Sequence, residues 1–510
     1  MLVRETPGGA RRPAATPATS SPETWSLGTD LPGSESSGQP PDGVLGSRPI
    51  APKSPDTSRG RRRLVGCKVV QFAEFDGRRF HFVGIGGAGM SGLALVAREL
   101  GAEVTGSDRA DSPYCERLRD AGIEPRIGHD AKHLPAGAEV VVSTAIPDDN
   151  PELRAARERG ASVLHRGDLL GEVSRLKRSI AIGGTHGKTT TAGMAAHVLL
   201  ETGRDPGYLI GGELRSAGTN AGWGEGDWVV VEADESDRSF LKLAREVAVV
   251  TNLELDHHAT YRSLGELEDA FEEFIGPAEA RVVGPGVELD GSRETFGIGE
   301  GDLRAEALEL LPLGSRFTVE GTAVELGVPG RHNVLNALAA LAAVRRAGVE
   351  PAEAAPALAG FSGAGRRFEP HGLTAAGARV FDDYAHHPTE VRATLEAART
   401  LGPRRLFACF QPHLYSRTRR LAREFGKALA LADVVVVLDV YPARELAQDY
   451  PGVSGLMVAG RAADAAGGRP VWWLPDLEEA VRRLAAELSE GDVLLTLGAG
   501  DVDRVARELT

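Results

Sequence analysis

From about residue 77 onward the chain alternates short apolar runs with longer stretches in which Ala, Leu and Val recur at helical spacing. The runs are rich in Val and Ile and predict buried parallel strands; the stretches between them predict helices. Strands are expected at Arg79–Val83, Glu103–Thr105, Glu139–Ser143, Ser179–Ile182, Asp227–Val231, Val247–Val250, Arg379–Asp382, Leu406–Phe410, Val434–Leu438, Val471–Trp473 and Val493–Leu497. Such alternation predicts an α/β fold with doubly wound sheets. Residues from about 292 to 328 interrupt it, being short, Gly-punctuated and β-like. Residues 1–75 are rich in Pro, Gly, Ser, Thr and Arg, include the basic cluster Arg61–Arg63, and lack periodic apolar positions, which predicts a disordered extension. The remainder divides into expected domains at 76–174, 175–369 and 370–510, as suits a chain of 510 residues.

The polar residues that close the strands carry the chemistry. The strand Ser179–Ile182 runs into the glycine turn Gly183, Gly184, Thr185, His186 and Gly187, and Lys188, Thr189 and Thr190 then open a helical run. A strand, a glycine turn and a helix N-terminus form a phosphate site: backbone N–H groups approach the anion and the helix dipole favours it. Lys188 adds a cation for the β- and γ-phosphates and Thr189 a hydroxyl for Mg²⁺. The spacing Gly184-x-x-Gly187-Lys188-Thr189 is two residues shorter than the usual form of this loop, but its context predicts a nucleoside triphosphate ligand.

Earlier in the chain, Arg79–Val83 leads into Gly84, Gly86, Gly87, Gly89, Met90, Ser91 and Gly92, then a helix, a strand and Asp108. That is the layout of a dinucleotide fold and predicts a diphosphate-bearing ligand without saying which. Asp227–Val231 ends in Glu232, placed to hold Mg²⁺, and Val247–Val250 leads to Asp256, His257 and His258. Asn333 and Asn336 open a helix, where they either cap it or read the edge of a base. Arg366 and Arg367 stand at an expected hinge. The last unit repeats the theme with Asp383, Tyr384, His386 and His387, then His413 and Arg417, then Tyr441 and Arg444.

Net charge of −14 argues against non-specific nucleic-acid binding. Cys67, Cys115 and Cys409 are scattered, which suits a reducing cytosol and builds neither a disulfide framework nor a zinc site. No apolar run reaches membrane-spanning length, so no membrane insertion is expected. The glycine pattern near residue 84 alone would also suit a nicotinamide oxidoreductase, but such an enzyme does not need the second glycine loop with its carboxylates.

In order, the motifs HFVGIGGAGMSG, STAIPDDNPEL, GTHGKTTT, EADESD, TNLELDH, GRHNVLNALAA, RRFE, DDYAHHPTE, FQPHLYSRT and DVYPARE resemble those of the Mur ligases of peptidoglycan synthesis, over about residues 79–510. The resemblance implies a Rossmann-like UDP-binding domain, a P-loop ATPase domain and a C-terminal ligase domain. It implies a cytoplasmic enzyme that uses ATP and Mg²⁺, or Mn²⁺, to join L-alanine to UDP-N-acetylmuramate through an acyl phosphate. By the same resemblance Gly84–Ser91 and Asp108 hold the UDP end. Gly184–Thr190, Asn333, Asn336, Arg367 and Asp383 hold ATP, and Thr189, Glu232 and His257 hold the metal. Tyr384, His413 and Arg417 hold the amino acid, Lys188, Arg367 and Asp383 serve the chemical step, and His386 or His387 takes the amine proton. The chain departs from the family pattern at Ala259, often Asp, and at Leu414, often Arg.

Overall fold

The computed structural model describes residues 74–291 and 293–510; the expected disordered extension, with Arg61–Arg63 and Cys67, otherwise lies outside the described residues. Its last two positions do not. Phe75 is buried at 4% exposure, its ring 5.7 Å from that of Phe80, and its N–H donates to Leu100 O. The boundary expected at 75/76 therefore moves back before Phe75: an isolated aromatic upstream of the first strand gives no periodic signal, yet it covers that strand.

The α/β alternation is realised as three sheets. The first is fully parallel, in the order β3-β2-β1-β4-β5, from β1 (Arg79–Val83), β2 (Glu103–Asp108), β3 (Arg126–Ile127), β4 (Glu139–Val142) and β5 (Val163–His165). The order reverses between β1 and β4, and Gly84–Gly87 open at that switch, where ligands of such sheets bind.

The second sheet has ten strands. Its parallel centre is β6 (Arg178–Gly183), flanked by β9 (Trp228–Glu232) and β10 (Val247–Val250). Beyond β9 lies the hairpin β7 (Gly207–Leu214) and β8 (Thr219–Trp223). Beyond β10 lie β11 (Ala280–Val283), β12 (Glu294–Ile298) and the antiparallel ribbon β13 (Leu303–Leu311), β14 (Gly314–Val319) and β15 (Thr322–Leu326). This ribbon is the stretch that breaks the strand–helix alternation. Alternate residues of the central strands enter different cores: Ile180, Ile182 and Val249 face helices Lys188–Glu201 and Arg331–Val344. Ala181, Val250 and Val231 face Phe240, Phe271 and Phe274, in a cluster continuous with Phe80 and Leu93 of the first sheet's layer. With both faces covered, the strands read as unbroken apolar runs.

The third sheet runs β16-β17-β21-β18-β19-β20, from β16 (Glu369–Leu373), β17 (Arg379–Asp383), β18 (Leu406–Phe410), β19 (Val434–Val437), β20 (Val471–Trp473) and β21 (Val493–Leu497). Only the edge strand β16 is antiparallel, so five carboxyl ends share one rim. Among the described residues no helix is long and apolar enough to cross a membrane.

Candidate active site

A cavity of about 1310 Å³ joins strand ends from all three sheets. Gly86, Gly87, Gly89 and Gly92 line one end, His186–Thr189, Glu232, Asp234 and His257 the middle, and Tyr384, His386, His413, Arg417 and Arg444 the other. That exceeds the ~300–1,000 Å³ of a pocket for one drug-sized ligand, so the cleft has room for more than one substrate.

The phosphate loop forms where β6 ends. Gly187 has φ +82, left-handed, and a Cβ there would collide with the Asn336 amide beneath the loop, so glycine is required. The Lys188 ammonium donates to Gly184 O at 2.7 Å and lies 2.8 Å from a Glu235 oxygen. Burial disfavours that charge, but the carboxylates of Glu235, Asp234 and Glu232 together outweigh it and the lysine's pKa is raised, so Lys188 is charged at neutral pH. Thr189 Oγ1 donates to Glu232 Oε1 at 3.1 Å, bringing together two of the three expected metal ligands. The third, His257, pairs instead with Glu235, Nε2 to Oε1 at 3.3 Å. Arg367 reaches the same place: its Nη2 donates to Thr189 Oγ1 at 3.4 Å.

Other expected ATP contacts are turned elsewhere. Asn336 Nδ2 donates to Asn333 Oδ1, Asn333 Nδ2 to Pro329 O, and Thr191 Oγ1 to Asn336 Oδ1, so both asparagines brace the loop from below, outside the cavity lining. The Asp383 oxygens accept from the backbone N–H groups of Phe368 and Ala385, both at 2.8 Å. Burial pushes Asp383 up to about 6, and it secures the hinge and the loop after β17 rather than lining the cavity. At the first sheet Asp108 Oδ2 accepts from Gly86 N at 2.9 Å, while Gly84, at φ +80, makes the turn. Met90 packs in the core and the Ser91 hydroxyl bonds back to Ala88 O.

The two adjacent histidines differ. His387 Nδ1 accepts from Thr389 N at 3.4 Å and caps the helix Pro388–Arg399, with Glu390 completing the box. His386 Nδ1 lies 3.0 Å from Tyr384 O, and since a carbonyl only accepts, Nδ1 carries the proton and Nε2 keeps a free lone pair. Burial lowers His386 to about 4, so the ring is neutral at pH 7. Its ring lies 5.9 Å from that of His413, and only His386 of the pair lines the cavity.

Pairings that the sequence pattern did not show organise this cleft. Glu235 bridges Lys188 and His257, and Asp256 binds Arg417. His186 of the phosphate loop lies 3.0 Å from Glu254 and 3.2 Å from Glu390 of the third sheet's layer; burial opposes its charge, but the two carboxylates raise it to about 9. Glu390 three residues after a cap was a readable signal; the pairing of Glu254 with His186 was not. Of the two departures, Ala259 is exposed and Leu414 lines the cavity.

Comparison with known proteins agrees with this arrangement. Sequence profiles of the Mur ligase family match three segments: the catalytic domain at residues 79–178, the middle domain at 182–344 and the glutamate ligase domain at 366–500. A protein of Rubrobacter xylanophilus named UDP-N-acetylmuramate–L-alanine ligase is 46% identical over 451 residues, 84% of this chain and 99% of that protein. One of the same name from Streptomyces coelicolor is 48% identical, over 83% and 95% of the two chains. The crystal structure of a UDP-N-acetylmuramate–alanine ligase from Thermotoga maritima is similar with a TM-score of 0.74 at 32% identity, over 84% of this chain and 98% of that one. With its three domains matched in order and full-length relatives this similar, the chain belongs to the Mur ligase family.

Proposed function

We infer that this protein is an ATP-dependent ligase that joins L-alanine to UDP-N-acetylmuramate, giving UDP-N-acetylmuramoyl-L-alanine for peptidoglycan synthesis. The observation that carries the reading is the single cleft in which a dinucleotide-type glycine loop, a phosphate loop and a neutral histidine face one another.

A carboxylate is a poor electrophile, so it must be activated. The γ-phosphoryl of ATP passes to a muramoyl carboxylate oxygen: the new O–P bond forms as the bond to the bridging oxygen breaks, and ADP is released. Lys188 and Arg367 supply positive charge where the phosphoryl moves. Mg²⁺ fits the Thr189 hydroxyl and the Glu232 carboxylate, two hard oxygens at a strand end beside the phosphate loop. Bound there it would screen the phosphate charge. His257, turned to Glu235, suits Mn²⁺ better than Mg²⁺. The amine of L-alanine then attacks the acyl phosphate carbon and His386 Nε2 takes its proton. The tetrahedral intermediate collapses, the C–O bond to phosphate breaks, and the amide forms. The glycine loop Gly84–Gly89 holds the UDP end, with Asp108 on the turn.

The test incubates the purified protein with ATP, Mg²⁺, UDP-N-acetylmuramate and L-alanine, following phosphate release. Release that requires both co-substrates and yields the alanyl product is expected; release that ignores either one overturns the reading.

A further inference from the structure

An amino acid acylated at its amine must be held by the carboxylate it keeps, and that calls for a cation at the far side of the amine-binding end. The residue the sequence pattern offers, Arg417, is already matched. Its Nη2 donates to both oxygens of Asp256 at 2.8 Å, its Nε to Oδ1 at 3.2 Å and its Nη1 to His413 Nδ1 at 3.3 Å, and it is 5% exposed. Position 414, often a cation in the family, is Leu here. The other arginines of the cleft are also placed: Arg366 on Asp382, Arg166 on Asp234, Arg117 on Glu213 and Arg507 on Asp503, with Arg215 donating to Ser362 O and Arg367 at Thr189, the phosphate end.

Arg444 is different. It lines the same end of the cavity as His413, Leu414 and Tyr441, it is exposed, and no carboxylate pairs with it among the described residues. Its loop is pinned to the His413 segment: Leu414 N donates to Tyr441 O at 2.9 Å, Tyr441 N donates to Pro412 O at 2.8 Å, and the His413 and Tyr441 rings stack at 5.9 Å. The neighbouring Glu445 is turned to other partners: its Oε2 accepts from Ser416 N at the start of helix Tyr415–Leu429 and its Oε1 from the Tyr450 hydroxyl. The residue before it, Ala443, has φ +49, a left-handed conformation that an alanine holds at a cost. Its positive charge bears on His413, which burial first and then His386, Arg417 and Arg444 lower to about 3, so that ring is neutral.

We propose that Arg444 binds the carboxylate of the incoming amino acid, with the amine directed at His386. The proposal rests on the ligase reading above. It places the recognition charge on the loop after β19, since position 414, just before helix Tyr415–Leu429, carries none.

Steady-state kinetics of wild type, Arg444→Gln and Arg444→Lys test it, with L-alanine and L-alaninamide as acceptors. Arg444→Gln is expected to raise KM for L-alanine about 10–100-fold, the range of a lost charge-assisted hydrogen bond. KM for ATP and UDP-N-acetylmuramate, and Tm, should stay within about two-fold and a degree or two of wild type, since the side chain is exposed. Arg444→Lys should recover part of the loss, and the preference for L-alanine over its amide should vanish in Arg444→Gln. An unchanged KM for L-alanine, or a fall confined to kcat, overturns the proposal while leaving the ligase reading standing. Wild-type phosphate release that ignores amino acid overturns both.

Discussion

Arg417 and Asp256 form an ion pair across 161 positions of sequence, tying the helix Tyr415–Leu429 of the third sheet's layer to the loop after β10 of the second, with both side chains almost fully buried. A buried pair of this kind is costly to break one-sidedly, because the survivor keeps its charge without a partner. Arg417→Met should lower stability by about 3–5 kcal/mol, and adding Asp256→Leu should recover more than half of that. Urea unfolding of the two single variants and the double variant measures the coupling; strictly additive losses would mean the pair does not act as a unit.

Lys188→Ala should reduce turnover on the order of 10²–10³-fold, by loss of one charge at the transferring phosphoryl. It should also lower Tm, because Glu235, 1% exposed, then loses a partner. Adding Glu235→Gln should restore Tm without restoring the rate. A double variant that regains turnover would remove Lys188 from the chemical step.

His386 and His387 separate by readout. His386→Ala should abolish most turnover at unchanged KM for ATP, and in wild type the acid limb of kcat should fall as pH drops through about 4, where His386 gains its proton. His387→Ala should instead cost about 1 kcal/mol of stability through loss of a helix cap. Equal kinetic losses in both variants would contradict the assignment.

Glu152 gives the acid sensitivity of the first sheet's layer. Burial alone would raise its pKa, but hydrogen bonds from His81, Ser107 and Asp130 N lower it from 4.5 to about 2. A depressed folded value means stability that is fully present above the unfolded pKa and lost as pH falls from about 4.5 through 2. The shift corresponds to about 3 kcal/mol. Glu152→Gln should flatten this limb in urea titrations at successive pH values; a limb as steep as wild type would assign the sensitivity elsewhere.

A chain beginning at Glu74 should unfold at a higher temperature than one beginning at Gly77. The latter loses Phe75 from its contacts with Phe80 and Leu100, at a cost of about 3 kcal/mol by analogy with large-to-small core changes. Equal melting temperatures would show that Phe75 adds nothing.

Metal dependence separates the proposed ligands. Glu232→Gln should raise the Mg²⁺ concentration needed for half-maximal turnover more than His257→Ala, because Glu232 touches Thr189 whereas His257 is held by Glu235. Identical Mg²⁺ titrations of wild type and Glu232→Gln would take Glu232 out of the site.

What the sequence determined by itself was whatever a local period or a strand-end motif encodes. The apolar runs around β6, β9, β10 and β17–β21 located the buried strands, and the glycines at 84–92 and 183–187 located the turns, because a left-handed φ or a close approach tolerates little else. The hairpin β7–β8 was not legible: GYLIGGEL carries three glycines and TNAGW is short, so neither alternates cleanly, and the pairing of β7 with β9 and the packing of Asn220 and Ala221 against Gly92 hold them in place. Tertiary structure alone decided which polar groups are already satisfied. Arg417 looks free in its motif and is matched by an aspartate 161 residues away, His386 and His387 are neighbours with opposite hydrogen-bond geometry, and Asp383 faces backbone amides rather than the cleft. The physical reason is that burial follows from short-range pattern, whereas the state of a charge or a lone pair depends on partners that only the folded chain brings within hydrogen-bond distance.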